Sequence, residues 1–271
     1  MARVLGRETF AVPVQNVIAS RLTLGPDAVH VFYRLADTIG GDEYEAAWTT
    51  LPADERHRAG RLVFASDRER FVAAHAMLRR VLSKYDDTRP EAWRFVVNEF
   101  GKPALPPGLS STGLTFNLSH ADGLVACIIG RNDVGIDVES IDRRVRVLEI
   151  ASRFFSPSET AGLGSCSGDQ RQARFFELWT LKEAYVKGVG AGLSHPLNSF
   201  GFVLDEPSSI GFDLPTPAEA DSWYFALCAP SEQHRMALAV RRRSLTRPRV
   251  TIWAEPDNVP SPPRLVRETP R

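Results

Sequence analysis

Two acidic side chains lie two positions apart in the stretch 134–139 (VGIDVE), whose alternation of apolar residues predicts a β-strand. Since side chains alternate between the faces of a strand, Asp137 and Glu139 share one face with Gly135, with Cα atoms about 6.5–7 Å apart. Two neighbouring carboxylates repel each other unless a cation lies between them. The spacing therefore indicates either a cation site or a half-exposed strand with an acidic face, and on spacing alone the second is commoner.

A second pair of charged residues lies on a predicted helix over residues 171–187, which contains the sequence FFELWTLKEAYVK. Glu183 and Lys187 are four residues apart, nearly opposite the apolar stripe of that helix. Such a pair is usually exposed and only weakly stabilising. However, Trp179 lies four residues before Glu183 on the same ridge, and a large indole beside an acid and a base is unusual on a purely solvated face.

The segment 116–120 (FNLSH) ends a predicted strand just before a turn. There a hydroxyl, an imidazole and backbone N–H groups can receive a phosphate. A Ser–His nucleophile is the rival interpretation, but Ser119 and His120 are adjacent on a strand and point to opposite faces, and no G-x-S-x-G turn is present. The glycines 188, 190 and 192 follow a helix rather than a strand, which excludes a dinucleotide-binding fingerprint.

The predicted elements recur in the same order. A helical region over residues 48–84, with Ser66 and Glu69 as a capping box, precedes strands that end near Glu139. The helix 171–187, preceded by a second box at Ser156 and Glu159, comes before strands that end near Val240. We therefore predict two similar α+β halves, 1–135 (its first 45 residues variable) and 136–250. The proline-rich tail, 251–271, is predicted to be unstructured.

Charge balance, cysteine content and the length of apolar runs argue against several classes of protein. The 33 basic and 33 acidic residues balance, which argues against a nucleic-acid binder. Three cysteines in 271 residues do not indicate a disulfide framework. The sequence shows neither a signal peptide nor an apolar run of the roughly 20 residues that a membrane span needs. We expect a cytoplasmic protein.

Taken in order, these motifs resemble the 4′-phosphopantetheinyl transferase superfamily in its larger, Sfp-type form. The resemblance covers roughly residues 50–205 and rests on four segments: 98–103 (NEFGKP), 116–120 (FNLSH), 135–139 (GIDVE) and 179–187 (WTLKEAYVK). It implies two similar α/β halves related by a pseudo-twofold axis, with coenzyme A bound in the cleft between them.

The resemblance also implies residue roles. Asp137, Glu139 and Glu183 would bind Mg²⁺, with Mn²⁺ as an alternative; three oxygen ligands suit such a hard cation. Lys187 would contact the pyrophosphate, and Glu183 would deprotonate the carrier serine or serve only as a metal ligand. The remaining expected coenzyme contacts are Lys182 near the pyrophosphate, His120 with Ser119 at the 3′-phosphate, Lys102 on the same side, and Arg58 and Arg70 from the N-terminal helical region.

The implied activity is transfer of the phosphopantetheine arm of coenzyme A to a serine of an apo acyl or peptidyl carrier protein, with release of 3′,5′-ADP. Two alternatives stay open at this stage. One is a metal-dependent pyrophosphatase acting on coenzyme A or a nucleotide, and the other is a non-catalytic protein that binds the coenzyme or a carrier. We expect a monomer, because the two halves already build the cleft.

Overall fold

A computed structural model describes residues 21–35, 41–108, 113–255, 259–260 and 263–270. Its helices are α1 (Gly41–Thr50), α2 (Ala53–Gly60), α3 (Ala65–Leu82), α4 (Val147–Phe154), α5 (Pro157–Ser165), α6 (Gly168–Val189) and α7 (Pro217–Asp221). Its strands are β1 (Ala28–Leu35), β2 (Val96–Val97), β3 (Pro103–Ala104), β4 (Thr115–Ala121), β5 (Leu124–Gly130), β6 (Val134–Ser140), β7 (Gly201–Val203), β8 (Gly211–Asp213), β9 (Trp223–Ala229), β10 (His234–Arg241), β11 (Arg249–Ala254), β12 (Val259–Pro260) and β13 (Arg264–Glu268).

The predicted α+β class is confirmed, and one arrangement occurs twice. In β1–α3–β4–β5 and again in β6–α6–β9–β10, a strand and a long helix precede an antiparallel hairpin. The first strand of each unit pairs antiparallel with the last. The larger sheet has the strand order β12-β11-β1-β5-β4 and the other has β13-β9-β10-β6. Division of the chain into domains at residue 135 stays a prediction, since β11 and β12 return to the sheet of the first unit.

The two sheets pack face to face, and each carries its long helix on the outside. Alternate residues of β1, β5, β6, β9, β10 and β11 fill the space between the sheets, for example Val31, Ile128, Ile136 and Leu238. The opposite face of the first sheet packs against α3, and that of the second packs against α6. Because β6 gives Val134, Ile136 and Val138 to the inner core, its other residues face α6.

Helix α6 lies unusually close to β6 at Gly135. A Cβ atom at this position would overlap the carbonyl oxygen of Ala184 and lie 2.5 Å from the backbone nitrogen of Gly188. Gly188 in turn packs against the indole of Trp223, where an added Cβ would meet a ring carbon at 2.9 Å. Only glycine at position 135 lets the helix backbone rest directly on the strand.

One local prediction is wrong. The region 48–84 is helical as predicted, with the end of α1 followed by α2 and α3, but α3 begins at Ala65 with Phe64 as an N-cap that makes no side-chain bond. Ser66 therefore lies inside the helix and caps nothing. The box at Ser156 and Glu159 is confirmed, with Pro157 at the first helical position.

The tail is also more ordered than predicted. Strand β11 pairs parallel with β1 and buries Val250 and Ile252, while β13 pairs with β9. Strands β11 and β13 contain no proline, and Pro260 lies in the short strand β12, which pairs with β11. The predictions of a variable first segment and an unstructured tail also concern residues 1–20 and 256–258, which lie outside the described ranges. Among the helices described, none is long and apolar enough to cross a membrane.

The contact at Gly135 generates a prediction. Gly135→Ala forces α6 away from β6, and we expect the free energy of unfolding to fall by at least about 2 kcal/mol, as in other overpacked cores. Gly162→Ala on α5 is the matched control, because its new Cβ meets nothing within 4 Å. That variant should be neutral or slightly stabilising. Urea denaturation measures both, and equal stability of the two variants would contradict the close contact.

Candidate functional site

The acidic face of β6 is covered by α6. Asp137 is 5% exposed and Glu139 is half-buried. Helix α6 brings Glu183 and Lys187 over this face, while its buried stripe, which includes Leu178, Leu181 and Tyr185, enters the core of the second unit. The charged ridge of α6 therefore reaches the acidic face of β6 through Lys187, while convergence of Asp137, Glu139 and Glu183 on one metal ion stays a prediction.

Lys187 connects the helix to both neighbouring strands. Its Nζ donates to Asp137 Oδ1 at 2.7 Å and to Ser119 Oγ at 2.9 Å. Ser119 also donates to Asp137 Oδ1, at 3.0 Å. Side chains of β4 further bind the β6 backbone, because Asn117 Oδ1 accepts from Ile136 N at 3.0 Å and Ser119 Oγ accepts from Val138 N at 3.3 Å.

The site carries more negative charge than Lys187 neutralises. Desolvation, followed by the charge of Asp137, raises the pKa of Glu139 to about 7, against the opposing effects of Arg143, Lys187 and a hydrogen bond from Trp179. Desolvation and Asp137 likewise raise the pKa of Glu183. In addition, Asp137 Oδ2 is buried without a hydrogen-bond partner. Clustered carboxylates with an orphaned oxygen are the environment in which a cation is stabilised.

The fit to a metal ion lies in the donor set rather than in a preformed cage. The candidate ligands are all carboxylates, which suit a hard divalent cation. Among the described residues, no group of three His, Cys, Asp or Glu side chains already has the spacing to coordinate a metal ion. In this conformation the ammonium of Lys187 occupies the position beside Asp137 Oδ1.

Two cavities meet at Lys187. One, of about 550 Å³, lies on the α6 side; we call it the α6 cavity. Its lining includes Glu183, Arg153, Phe100, Phe154 and Leu197. The other, of about 420 Å³, lies beside α3; we call it the α3 cavity. Its lining includes Arg58, Arg94, His75, Ser119 and His120. Both are also lined by Gly101, Pro103, Leu118 and Lys187.

Besides Lys187, three predicted ligand contacts line the α3 cavity: Arg58, Ser119 and His120. The guanidinium of Arg58 lies over the ring of Phe71, 5.5 Å from its centroid, and the imidazole of His75 stacks on the same ring, with the two ring centroids 3.9 Å apart. Desolvation by the cavity walls, together with the charge of Lys187, lowers the pKa of His120 to about 4. The ring is therefore neutral at pH 7 and presents one donor and one acceptor.

Lys182 is wrongly predicted as a coenzyme contact. Its side chain is fully buried, and its Nζ lies 2.8 Å from Glu159 Oε2. The same ammonium donates to the carbonyl oxygens of Leu197 at 2.8 Å and Phe200 at 2.7 Å. Lys182 lies five positions before Lys187, so the two point to different sides of α6. Lys182 faces the core, whereas Lys187 faces the site.

Two further predicted contacts are placed differently from expectation. Lys102 lines the α6 cavity, but its ammonium donates to the carbonyl oxygens of Gly188 at 2.7 Å and Val134 at 3.3 Å. Arg70 lines neither cavity, because its guanidinium pairs with Asp67 and Asp122. The two cations that were predicted to bind the coenzyme are thus bound within the protein, Lys102 by main-chain carbonyl groups and Arg70 by two carboxylates.

The α3 cavity also contains a buried charge cluster that the sequence analysis missed. Glu55 Oε1 lies 2.9 Å from Arg79 Nη2 and 3.3 Å from His75 Nδ1. Arg79 is 1% exposed and also donates to the carbonyl oxygen of Trp93 at 2.7 Å. One feature of the sequence could have predicted this cluster. His75 and Arg79 lie four residues apart on α3, a helix whose other buried residues are apolar.

Comparisons with known proteins agree with this picture. A model of the 4′-phosphopantetheinyl transferase superfamily matches residues 133–239, and a model of the N-terminal part of 4′-phosphopantetheinyl transferases matches residues 40–131. The 4′-phosphopantetheinyl transferase HetI of Nostoc sp. (strain PCC 7120) is 37% identical over 174 residues, which cover 64% of this chain and 73% of HetI.

Two further proteins are similar over part of the chain. The 4′-phosphopantetheinyl transferase Sfp of Bacillus subtilis (strain 168) is 31% identical over 177 residues, 65% of this chain and 77% of Sfp. A solved holo-(acyl-carrier-protein) synthase from Bacillus anthracis covers 41% of this chain and 96% of its own, at 20% identity and a TM-score of 0.35. That structural likeness is too low to inform the site.

The buried pair generates a prediction about stability. Lys182→Met leaves the carboxylate of Glu159 buried without its countercharge. We therefore expect the free energy of unfolding to fall by about 3–5 kcal/mol. The double variant K182M/E159Q removes both charges and should be more stable than K182M alone. Denaturant unfolding measures both. A K182M variant as stable as the wild type would show that the pair is not the buried contact described.

Glu55 generates a prediction about pH. Burial opposes its ionisation, but hydrogen bonds from His75 and Arg79 outweigh that effect and lower the pKa of Glu55 from 4.5 to about 2. Its stabilising contribution is therefore complete above pH 4.5 and is lost as pH falls towards 2. Over that interval, the free energy of unfolding of the wild type should fall by about 3 kcal/mol more than that of E55Q.

The matched control for this measurement is Glu45→Gln, which replaces an exposed acid of α1. Unfolding by urea at a series of pH values between 2 and 6 gives the three curves. E45Q should follow the wild type throughout. Parallel curves for E55Q and the wild type would contradict the assignment of the shift to this cluster.

Proposed function

Because the chain belongs to the 4′-phosphopantetheinyl transferase superfamily and is a transferase enzyme, we propose that it transfers the 4′-phosphopantetheine arm of coenzyme A to a serine of an apo carrier protein. The observation that carries this proposal is the position of Lys187, which lines both cavities and pairs with Asp137, while Glu183 lies one helical turn before it in the wall of the α6 cavity. A phosphoryl group at that junction would have an acid–base residue and a cation beside it.

The charge of the cavities supports an orientation for the coenzyme. The α3 cavity carries cationic and hydrogen-bonding groups suited to an anionic nucleotide, and we assign Arg58, His120 and Ser119 to its 3′-phosphate. Lys187, shared by both cavities, would contact the pyrophosphate. The α6 cavity, with Phe100, Phe154 and Leu197 in its wall, then faces the side from which the carrier serine approaches.

We further propose that Asp137, Glu139 and Glu183 hold Mg²⁺, with Mn²⁺ as an alternative. The support is the orphaned Asp137 Oδ2, the raised pKa values of both glutamates, and the all-oxygen donor set. When bound, such an ion supplies Lewis-acid stabilisation of charge on the pyrophosphate oxygens. It would also relieve the mutual repulsion of the three carboxylates.

The chain's own residues account for the remaining chemistry. Glu183, with its raised pKa, accepts the proton of the carrier serine directly or through water. The serine oxygen attacks the β-phosphorus of coenzyme A in line. The bond from that phosphorus to the bridging oxygen breaks, and 3′,5′-ADP leaves with the bonding electrons. Lys187 stabilises negative charge on the transferred group, so most of the rate comes from positioning and electrostatics.

The proposed partners are coenzyme A and an apo acyl or peptidyl carrier from a fatty-acid, polyketide or nonribosomal-peptide pathway. We propose that the enzyme acts in the cytoplasm as a monomer, since one chain contributes both cavities and the residues between them. Size-exclusion chromatography with light scattering tests the monomer. A dimer whose interface adds residues to either cavity would overturn it.

The decisive experiment incubates the enzyme with coenzyme A, Mg²⁺ and a panel of apo carriers, and reads intact mass. The expected result is a carrier heavier by one phosphopantetheine group, with an equal amount of 3′,5′-ADP in solution. Cleavage of coenzyme A without modification of any carrier would instead indicate a pyrophosphatase. Binding of coenzyme A without Mg²⁺-dependent product would indicate a non-catalytic protein.

The proposed role of Glu183 generates a prediction. Glu183→Gln should lower kcat for carrier modification at least about 100-fold, because it removes both a base and a metal ligand. Glu177→Gln is the matched control, since Glu177 lies on the same helix but pairs with Arg174 and Arg267 away from the cavities. E177Q should keep kcat within about twofold of the wild type. Full activity of E183Q would remove Glu183 from the mechanism.

A further inference from the structure

We infer that Asn98 and Lys102 are positioning residues, which latch the β2–β3 hairpin of the N-terminal unit onto the C-terminal end of α6 and thereby hold Lys187 in the site. The role in catalysis rests on the proposed function, whereas the latch itself is a separate structural claim. The sequence pattern assigns to the motif 98–103 only a coenzyme contact, at Lys102. The geometry points to a different use.

Asn98 organises the hairpin and reaches the helix at the same time. Its Oδ1 accepts from the backbone nitrogens of Phe100 at 3.0 Å and Lys102 at 2.8 Å, which closes the turn. Its Nδ2 donates to the carbonyl oxygen of Gly190 at 2.8 Å, 92 positions along the chain. A rigid turn in one unit is thus fastened by a side-chain amide to the end of a helix in the other.

Lys102 binds the adjoining carbonyl groups. Its Nζ donates to Gly188 O and to Val134 O, the second of which begins β6. The last carbonyls of a helix have no intrahelical partner and carry the negative end of the helix dipole, so a cation there is stabilising. The same ammonium therefore ties together the end of α6 and the start of the acidic strand.

Two glycines allow the hairpin to approach this closely. At Gly190, φ is +78° and an added Cβ would lie 2.8 Å from the side chain of Lys102. At Gly192, φ is +54° and an added Cβ would lie 3.2 Å from the carbonyl oxygen of Phe100. Gly190 and Gly192, just after the end of α6, thus form the surface that receives the latch, and Gly190 lies three residues after Lys187.

Kinetics distinguish this role from phosphate binding. We compare Asn98→Ala, Lys102→Met and the double variant, measuring kcat and the KM for coenzyme A in carrier modification. A misplacement of about 1 Å at Lys187 lowers turnover about 10- to 100-fold, so both single variants should lose kcat by that factor while KM changes less than about twofold. The double variant should lose no more than about twofold beyond the worse single variant, because both side chains hold one helix end.

Arg171→Met is the matched control. Arg171 also places a cation on carbonyls at a helix end, those of Leu163 in the last turn of α5 and of Cys166 at its C-cap, and it lines neither cavity. R171M should lower thermal stability and leave kcat within about twofold of the wild type. If R171M loses kcat as strongly as K102M, the losses report general destabilisation and the inference fails.

The phosphate-binding alternative gives the opposite pattern. In that case K102M raises the KM for coenzyme A with kcat unchanged, and N98A, which alters no charge, behaves as the wild type; this result would overturn the latch. Hydrogen exchange provides a measure that does not depend on activity. The amides of residues 188–192 should exchange at least about tenfold faster in N98A and K102M than in the wild type. Unchanged exchange there would overturn the latch even if the wild type modified no carrier.

Discussion

The site depends on one steric constraint, the direct contact between the backbone of α6 and the backbone of β6 at Gly135. Because no side chain separates helix from strand, Asp137 lies within hydrogen-bond reach of Lys187, at 2.7 Å. A helix resting on ordinary side chains would lie further out, because a Cβ at position 135 would already overlap the carbonyl oxygen of Ala184. The charged ridge of α6 and the acidic face of β6 would then belong to separate, solvated surfaces.

The electrostatic character of the site follows from that contact. Closing a helix over two adjacent carboxylates removes water, which strengthens their repulsion and raises the pKa of Glu139 to about 7. The hydrogen bonds from Ser119 and Lys187, together with the ion pair between Glu139 and Arg143, offset part of this unfavourable energy. The proposed divalent ion would offset more of it, because it would lie between like charges.

Sequence patterns predict those parts of this structure that depend on periodicity. Alternation placed Asp137 and Glu139 on one face, helical spacing placed Glu183 and Lys187 on one ridge, and the capping rule located the start of α5 at Ser156. The same rules failed where the outcome depends on distant partners. Ser66 satisfied the local requirement for an N-cap, but the N-cap of α3 is Phe64, two residues earlier. In the tail, β11 pairs with β1 and β13 pairs with β9. These pairings depend on residues distant in the sequence, so no local pattern predicts them.

The two lysines of α6 show why residue type alone cannot assign a role. Lys182 and Lys187 belong to one motif, yet Lys182 is fully buried against Glu159 while Lys187 is about a third exposed at the junction of the cavities. Lys182 holds the segment 197–200 and, through Glu159, the N-terminus of α5, so the helix is fixed from the core side. Gly135 fixes it against the sheet.

With the end of α6 tied by Asn98 and Lys102, the helix is restrained on three sides. Each restraint acts on the backbone or on a residue that does not itself face the reacting groups. Charges held in place before a substrate binds need no reorganisation during the reaction, and this preorganisation is the main source of electrostatic catalysis. The buried ion pair, the glycine contact and the hairpin are therefore best understood together. Together they hold the side chains of Lys187 and Glu183 in place in the wall of the α6 cavity.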